Sequence, residues 1–263
     1  MTRITAWRRH PLARYAVLIL ALSLVGMVYA AFVQAGKPAD AALAAGKVDD
    51  VAEGRSLFVK HCSSCHGMNA EGTTTAPTLV GVGAGAVDFQ MSTGRMPAAN
   101  PGAQAPRKPP AEWVTPDKVR QISAYVQSLG GGPQVPAAEY VDPKLGDAGR
   151  GGELFRANCI QCHNWVGAGG ALTQGKYAPN LNEASPTQIY EAMVTGPQAM
   201  PVFNDTTITP EEKRDMIAYI TQVRSQKDPG GFGLGRIGPV TEGLVAWIVG
   251  ITALVLAAIW ITA

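Results

Sequence analysis

The sequence predicts a mainly α-helical chain in which two tandem helical repeats stand between an N-terminal and a C-terminal membrane-spanning helix. Three observations carry this expectation: an uncharged apolar run near each end, an internal self-similarity, and a proline-capped amphipathic segment closing each repeat. Of the 263 residues only 16% are charged and 46% are hydrophobic, whereas a typical soluble domain has roughly 25% charged residues. Part of the apolar content is therefore expected to face lipid. Gly and Pro, at 30 and 19, are too few for a disordered or collagen-like chain. The net charge of +2 hides an asymmetry, because Arg3, Arg8, Arg9 and Arg14 precede the first apolar run. The remainder is close to neutral, so no basic nucleic-acid face is indicated.

Residues 1–14 form the basic flank, expected in the cytoplasm by the positive-inside rule. Residues 15–33 carry no charge and as a helix would extend roughly 28 Å, close to the hydrocarbon thickness. A cleaved signal peptide, with small residues around Val28-Tyr29-Ala30, is the competing reading; the run exceeds the usual signal core of about 7 to 15 residues, which favours an uncleaved anchor. Residues 243–263 form the second span, with Trp247 and Trp260 suited to an interfacial belt. Two spans return both termini to the cytoplasm and place everything between them outside, a two-pass topology. A linker over 34–48 leads to the first repeat at 49–131, a second linker covers 132–145, the second repeat covers 146–225, and a glycine-rich tether runs over 226–242.

All four cysteines lie in two motifs, Cys62-Ser63-Ser64-Cys65-His66 and Cys159-Ile160-Gln161-Cys162-His163. In a helical turn, positions i, i+3 and i+4 share a face, so two thiols and an imidazole project together. That is the arrangement for covalent attachment of c-type haem, in which the thiols become thioethers and the histidine binds iron. A zinc ribbon would place its two C-x-x-C pairs roughly 15 to 20 residues apart, and these lie far beyond that spacing. Two such haems are expected, on the extracytoplasmic side.

The repeat extends beyond the motifs. Asp50, Gly54, Leu57, Phe58 and Cys62 match Asp147, Gly151, Leu154, Phe155 and Cys159 at constant offset; Ala76-Pro77-Thr78-Leu79 answers Ala178-Pro179-Asn180-Leu181. Each repeat closes with a Thr-Pro-acidic start, at Thr115 and at Thr209, the pattern of an N-cap followed by proline in the first turn. Behind them Val119, Ile122, Val126 and Leu129, and then Met216, Ile220 and Val223, recur at helical spacing. Units of about 80 residues bury a limited fraction of their surface, so a covalently held apolar macrocycle would supply much of each interior.

The remaining axial ligand must be methionine. The four histidines are His66 and His163 in the motifs, His10 in the flank and His61 beside Cys62, which leaves none to cross the ring. Two matched pairs of methionines are available, Met91 with Met193 and Met96 with Met200. The second pair sits on Thr-Gly to Met-Pro loops and is expected to hold iron, because restrained loops can press a thioether against it. With both axial positions filled there is no open catalytic site, so electron transfer is expected rather than peroxide or oxygen chemistry. The segment from Pro97 to Trp113 reads as a solvated insertion in preference to a partner-docking loop, Arg95 as either a haem-carboxylate partner or a solvated arginine, and Trp113 and Trp165 as core packing in preference to contact with a haem edge or a partner.

With C-x-x-C-H, an A-P-x-L loop and a T-G-x-M-P type ligand loop, residues 49–225 resemble two class I cytochrome c domains. The second ligand loop departs by two extra residues between Gly196 and Met200. The resemblance implies that the carbonyls of Pro77 and Pro179 accept the imidazole Nδ1 hydrogens. With an anchor at each end, the whole layout resembles the dihaem cytochrome c subunit of the actinobacterial menaquinol:cytochrome c reductase. That resemblance implies partnership with a cytochrome b subunit, a Rieske iron-sulfur subunit as donor, and a terminal cytochrome c oxidase as acceptor. A cytochrome subunit of another membrane oxidase or of a periplasmic dehydrogenase, a dihaem peroxidase and a haem sensor are the alternatives.

Overall fold

The computed structural model describes residues 13–35, 48–99, 102, 104–226, 234 and 239–262. Residues 1–12 of the expected flank, most of the linker before the first repeat and most of the tether lie outside these residues. The chain divides into two bodies, Met1–Asp49 and Asp50–Ala263. The first contains helix α1 (Ala13–Ala35), in which Tyr15–Met27 is a short apolar stretch with exposed side chains. The second contains both repeats and ends in α11 (Pro239–Thr262). Within α11, Thr241–Thr262 has a mean hydropathy of 2.6 and no buried surface, long and apolar enough to cross a membrane.

The first repeat is built from α2 (Val48–His61), α3 (Ser63–His66), α4 (Ala84–Ser92) and α5 (Pro116–Ser128). The second is built from α6 (Ala138–Val141), α7 (Ala148–Asn158), α8 (Ile160–His163), α9 (Pro186–Thr195) and α10 (Pro210–Ser225). A two-residue antiparallel pair, β1 (Gly170–Ala171) with β2 (Tyr177–Ala178), pairs Ala171 with Tyr177 just before Pro179.

In each repeat the helix that enters the C-x-x-C-H motif, α2 or α7, crosses the closing helix, α5 or α10, at a matched glycine. A Cβ on Gly54 would stand 2.0 Å from the Gln121 carbonyl oxygen, and one on Gly151 would stand 1.9 Å from that of Asp215. No side chain fits between these backbones, so glycine is what lets the helices meet. Above the crossing, Phe58 lies 5.3 Å from Tyr125 and Phe155 lies 5.3 Å from Tyr219, ring centre to ring centre. Around Phe58 pack Val87, Met91, Val119, Ile122 and Val126; around Phe155 pack Ile189, Met193, Met216, Ile217 and Ile220. The apolar spacing read from the sequence thus becomes two separate cores. The closing helices start as expected: Thr115 Oγ1 accepts the Lys118 amide at 3.5 Å. Thr209 and Glu212 form a full capping box, two otherwise orphaned amides being satisfied reciprocally.

The repeats also touch each other, since α4 packs against α9 and Gln188 Nε2 donates to Ser92 Oγ at 3.2 Å. Glu191 on α9 is fully buried, and burial together with Asp88 of α4 pushes its carboxyl up to about 10. A carboxyl that stays protonated when folded and ionises when unfolded makes folding less favourable as pH rises from about 4.5 to about 10. Glu191→Gln should therefore raise the melting temperature at pH 8, with the gain shrinking towards pH 5. Thermal scans across this range check it; a gain independent of pH would remove the titration explanation.

Candidate functional site

The two C-x-x-C-H segments have the same backbone. Each follows its entry helix through a kink at the first cysteine, with φ −123° at Cys62 and −120° at Cys159. The Cys62 amide bonds the Phe58 carbonyl at 2.8 Å and the Cys159 amide bonds that of Phe155 at 2.8 Å, so the aromatic core anchors fix the motif. The His66 amide then bonds the Cys62 carbonyl at 3.0 Å, and that of His163 bonds Cys159 at 2.9 Å. Cys62 and Cys159 are half-buried, Cys65 and Cys162 exposed, and all four are free thiols. Burial, with a smaller effect of the companion cysteine, pushes Cys62 up to about 11 and Cys159 up to about 12. These thiols are therefore un-ionised near neutral pH. Among the described residues no three His, Cys, Asp or Glu side chains gather to hold a free metal ion.

Both histidines are 8% exposed. Nδ1 of His66 lies 2.8 Å from the Pro77 carbonyl oxygen, and Nδ1 of His163 lies 3.0 Å from that of Pro179. A carbonyl only accepts, so each Nδ1 carries the hydrogen and Nε2 is the ring nitrogen left to act as a ligand. Burial lowers the pKa of His163 more than the Pro179 carbonyl raises it, which keeps that imidazole neutral. The proline loops are held by matching backbone bonds, Leu79 to Ala70 at 2.8 Å and Leu181 to Gly167 at 2.7 Å.

The methionine pairs are placed differently. Met91 and Met193 lie on α4 and α9 within the cores, while Met96 and Met200 lie on the loops beyond, half-buried against those cores. In the second repeat a cavity of about 280 Å³ is lined by Cys159, Cys162, His163, Pro179 and both Met193 and Met200. Its other walls include Phe155, Leu181, Ile189 and Ile220. Thiols at one edge, an imidazole lone pair, a thioether and apolar walls around unfilled space fit a flat apolar macrocycle carrying iron.

Two expectations need correction, and one of the two readings of Arg95 falls away. The segment after Met96 is not simply solvated: Gln104 Nε2 donates to the Tyr177 carbonyl at 2.6 Å and its Oε1 accepts the Tyr177 amide at 3.0 Å. A glutamine amide can satisfy a strand residue's two backbone groups at once, which seats this loop on β2. Arg95 is buried rather than solvated, and with Gln104 and Arg107 it lines the second repeat's cavity. Its position beside Met96 was the sequence signal; the repeat across which it reaches was not readable. Trp165 is 41% exposed, its carbonyl accepting the Tyr219 hydroxyl at 2.7 Å. Trp113 does pack, stacked on His61 at 3.9 Å.

Two helical repeats, each with a C-x-x-C-H turn whose imidazole is oriented by a proline carbonyl, define the cytochrome c class. The profile described as cytochrome c matches residues 51–130, and that described as cytochrome C oxidase, cbb3-type, subunit III matches residues 146–220. Cytochrome c domains imply covalently bound c-type haem. The chain is 42% identical to the cytochrome bc1 complex cytochrome c subunit of Corynebacterium efficiens over 96% of this chain and 90% of that protein. It is 43% identical to the subunit of that name from Mycobacterium tuberculosis, over 97% and 92%, and 47% identical to that from Mycobacterium leprae, over 80% and 74%. The chain belongs to this family of cytochrome bc1 complex cytochrome c subunits, and it has an electron-transfer role in a membrane-associated respiratory complex.

Proposed function

We propose that the chain is a dihaem relay, with one haem in each of the domains 49–131 and 146–225, that takes electrons from a Rieske iron-sulfur protein and passes them to a terminal cytochrome c oxidase. The observation that carries this reading is the imidazole Nδ1 to proline carbonyl pairing, built twice at 2.8 and 3.0 Å. Cys62 and Cys65 would hold one haem, Cys159 and Cys162 the other. His66 with Met96, and His163 with Met200, would be the axial pairs. Bound haem iron supplies the one-electron chemistry; the chain supplies orientation, a dry surrounding and two filled axial positions that keep oxygen from the metal. Methionine opposite histidine favours the reduced state, suiting a high-potential acceptor. The Pro77 and Pro179 carbonyls fix each ring and increase its basicity as a ligand. Met193 shares the cavity with Met200, but its place on a core helix makes the loop methionine the better-presented thioether.

In this reading oxidation of the quinol itself belongs to a neighbouring cytochrome b subunit, as the family resemblance implies, and this chain carries the electrons onward. The topology proposed is two-pass: α11 spans, residues 15–33 of α1 span under the four arginines, and the haem domains face the extracytoplasmic side. Gentle detergent purification through a tag on this chain tests the assignment. The expected recovery is cytochrome b, a Rieske protein and an oxidase, with quinol reducing the c-type haem. Recovery of cbb3-type oxidase subunits alone, or of a dehydrogenase, would replace the reductase reading.

A further inference from the structure

The second cavity is not closed by its own repeat. Phe89, Thr93 and Arg95 of the first repeat form part of its wall, together with Gln104, Ala105 and Arg107 from the loop that follows. The loop is fastened there by the paired bonds of Gln104 to Tyr177 and by Gln198 Nε2, which donates to the Ala105 carbonyl at 3.0 Å. Arg95 is only 7% exposed, and its guanidinium carbon lies 4.9 Å above the Phe89 ring centre. Withdrawing a guanidinium from water costs free energy that a ring contact offsets only in part. Among the described residues the ion pairs use Arg120, Arg150 and Lys213, and none uses Arg95. Arg107 lines the same space, adding a second positive charge. Two cations beside a cavity and no carboxylate from the chain mark a place for an anion.

Haem brings both chemistries, an apolar body and two carboxylate arms. We propose that Arg95, assisted by Arg107, binds a carboxylate arm of the haem held by Cys159, Cys162 and His163, so that the first repeat completes the second repeat's site. The planar guanidinium fork matches a carboxylate through two parallel bonds, which an ammonium does not. Two consequences follow. Positive charge near the ring favours reduced iron, so the first repeat raises the potential of the second haem. The bridge also ties the two repeats together through the cofactor. The inference rests on the reading of this cavity as a haem site.

Redox titration of the intact complex in detergent, followed at the c-haem absorption band, tests it. The second-repeat component is identified by its displacement in Met200→His. Arg95→Gln should lower that component's reduction equilibrium constant roughly tenfold, about 59 mV for one electron, and leave the other component nearly unmoved. Arg95→Lys should recover part of the loss, and Arg107→Gln should give a smaller shift in the same direction. Should Arg95→Gln fail to assemble, a shift of the second component in Arg107→Gln supports the proposal and no shift overturns it. A shift confined to the first-repeat component would overturn it by assigning Arg95 to the haem beside Met96, as would unmoved potentials with both haems bound. Absence of covalent haem from the unsubstituted chain is a separate result, which sinks the haem reading itself.

Discussion

Replacing Cys159 and Cys162 together by alanine should reduce covalently bound haem from two to about one per chain, measured by haemochrome absorbance after acid-acetone extraction. Removing both thiols leaves no atom that can form a thioether in the second repeat, whereas Cys62 and Cys65 remain in the first. The loss should also be structural. The cavity in the second repeat is bounded by Phe155, Ile189 and Ile220, all members of its core, so without the macrocycle that core is left unfilled. Lost contacts around an empty volume weaken packing as well as transfer free energy. The variant should therefore become protease-sensitive within residues 146–225 while 49–131 stays resistant. Two haems retained in the double variant would refute the attachment scheme, and equal sensitivity of both repeats would show that the first core depends on the filled second one.

Valine at position 151 is expected to prevent stable folding of the second repeat, at a cost of about 3 kcal/mol or more. The nearest atom to an added Cβ is the Asp215 carbonyl oxygen at 1.9 Å, followed by its carbonyl carbon at 2.3 Å. Both belong to the backbone of α10, so no rotamer change relieves the clash and α7 must move away from α10. That movement would carry Phe155 out of its core and displace the Cys159 amide bonded to its carbonyl. Gly54→Val should do the same to the first repeat through the Gln121 carbonyl. Gly149→Ala is the control, since its added methyl meets only a side-chain oxygen of Asp147 at 3.2 Å. Denaturant melts of the three variants check the ranking. A Gly151→Val protein as stable as the control would show that the helix crossing is not set by backbone contact.

The two closing helices show how local signals reached the structure intact. Thr209, Pro210 and Glu212 specify a helix start through bonds spanning four residues, so nothing distant can alter them. The repeat of Asp50 through Cys62 at Asp147 through Cys159 likewise announced two copies of one unit, and both copies fold with the same kink and the same histidine orientation. Apolar spacing identified Val119, Ile122, Val126 and Leu129 as one apolar face; the first three are buried, and Leu129, at the helix C-cap, is partly buried against them.

Contacts between the repeats were not legible in this way. Gln104 meets Tyr177 and Glu191 is buried facing Asp88, pairings separated by many tens of residues and marked by no period or motif. The insertion after Met96 is rich in proline and alanine, a composition shared by solvated loops and by loops that bind through backbone and amide groups. Sequence alone determined what depends on neighbours along the chain: the attachment motifs, the helix starts, the apolar faces and the existence of a repeat. Tertiary structure decided which repeat's arginines stand beside which cavity, because that follows from how two finished cores pack, and packing is a property of surfaces assembled from residues far apart in the chain.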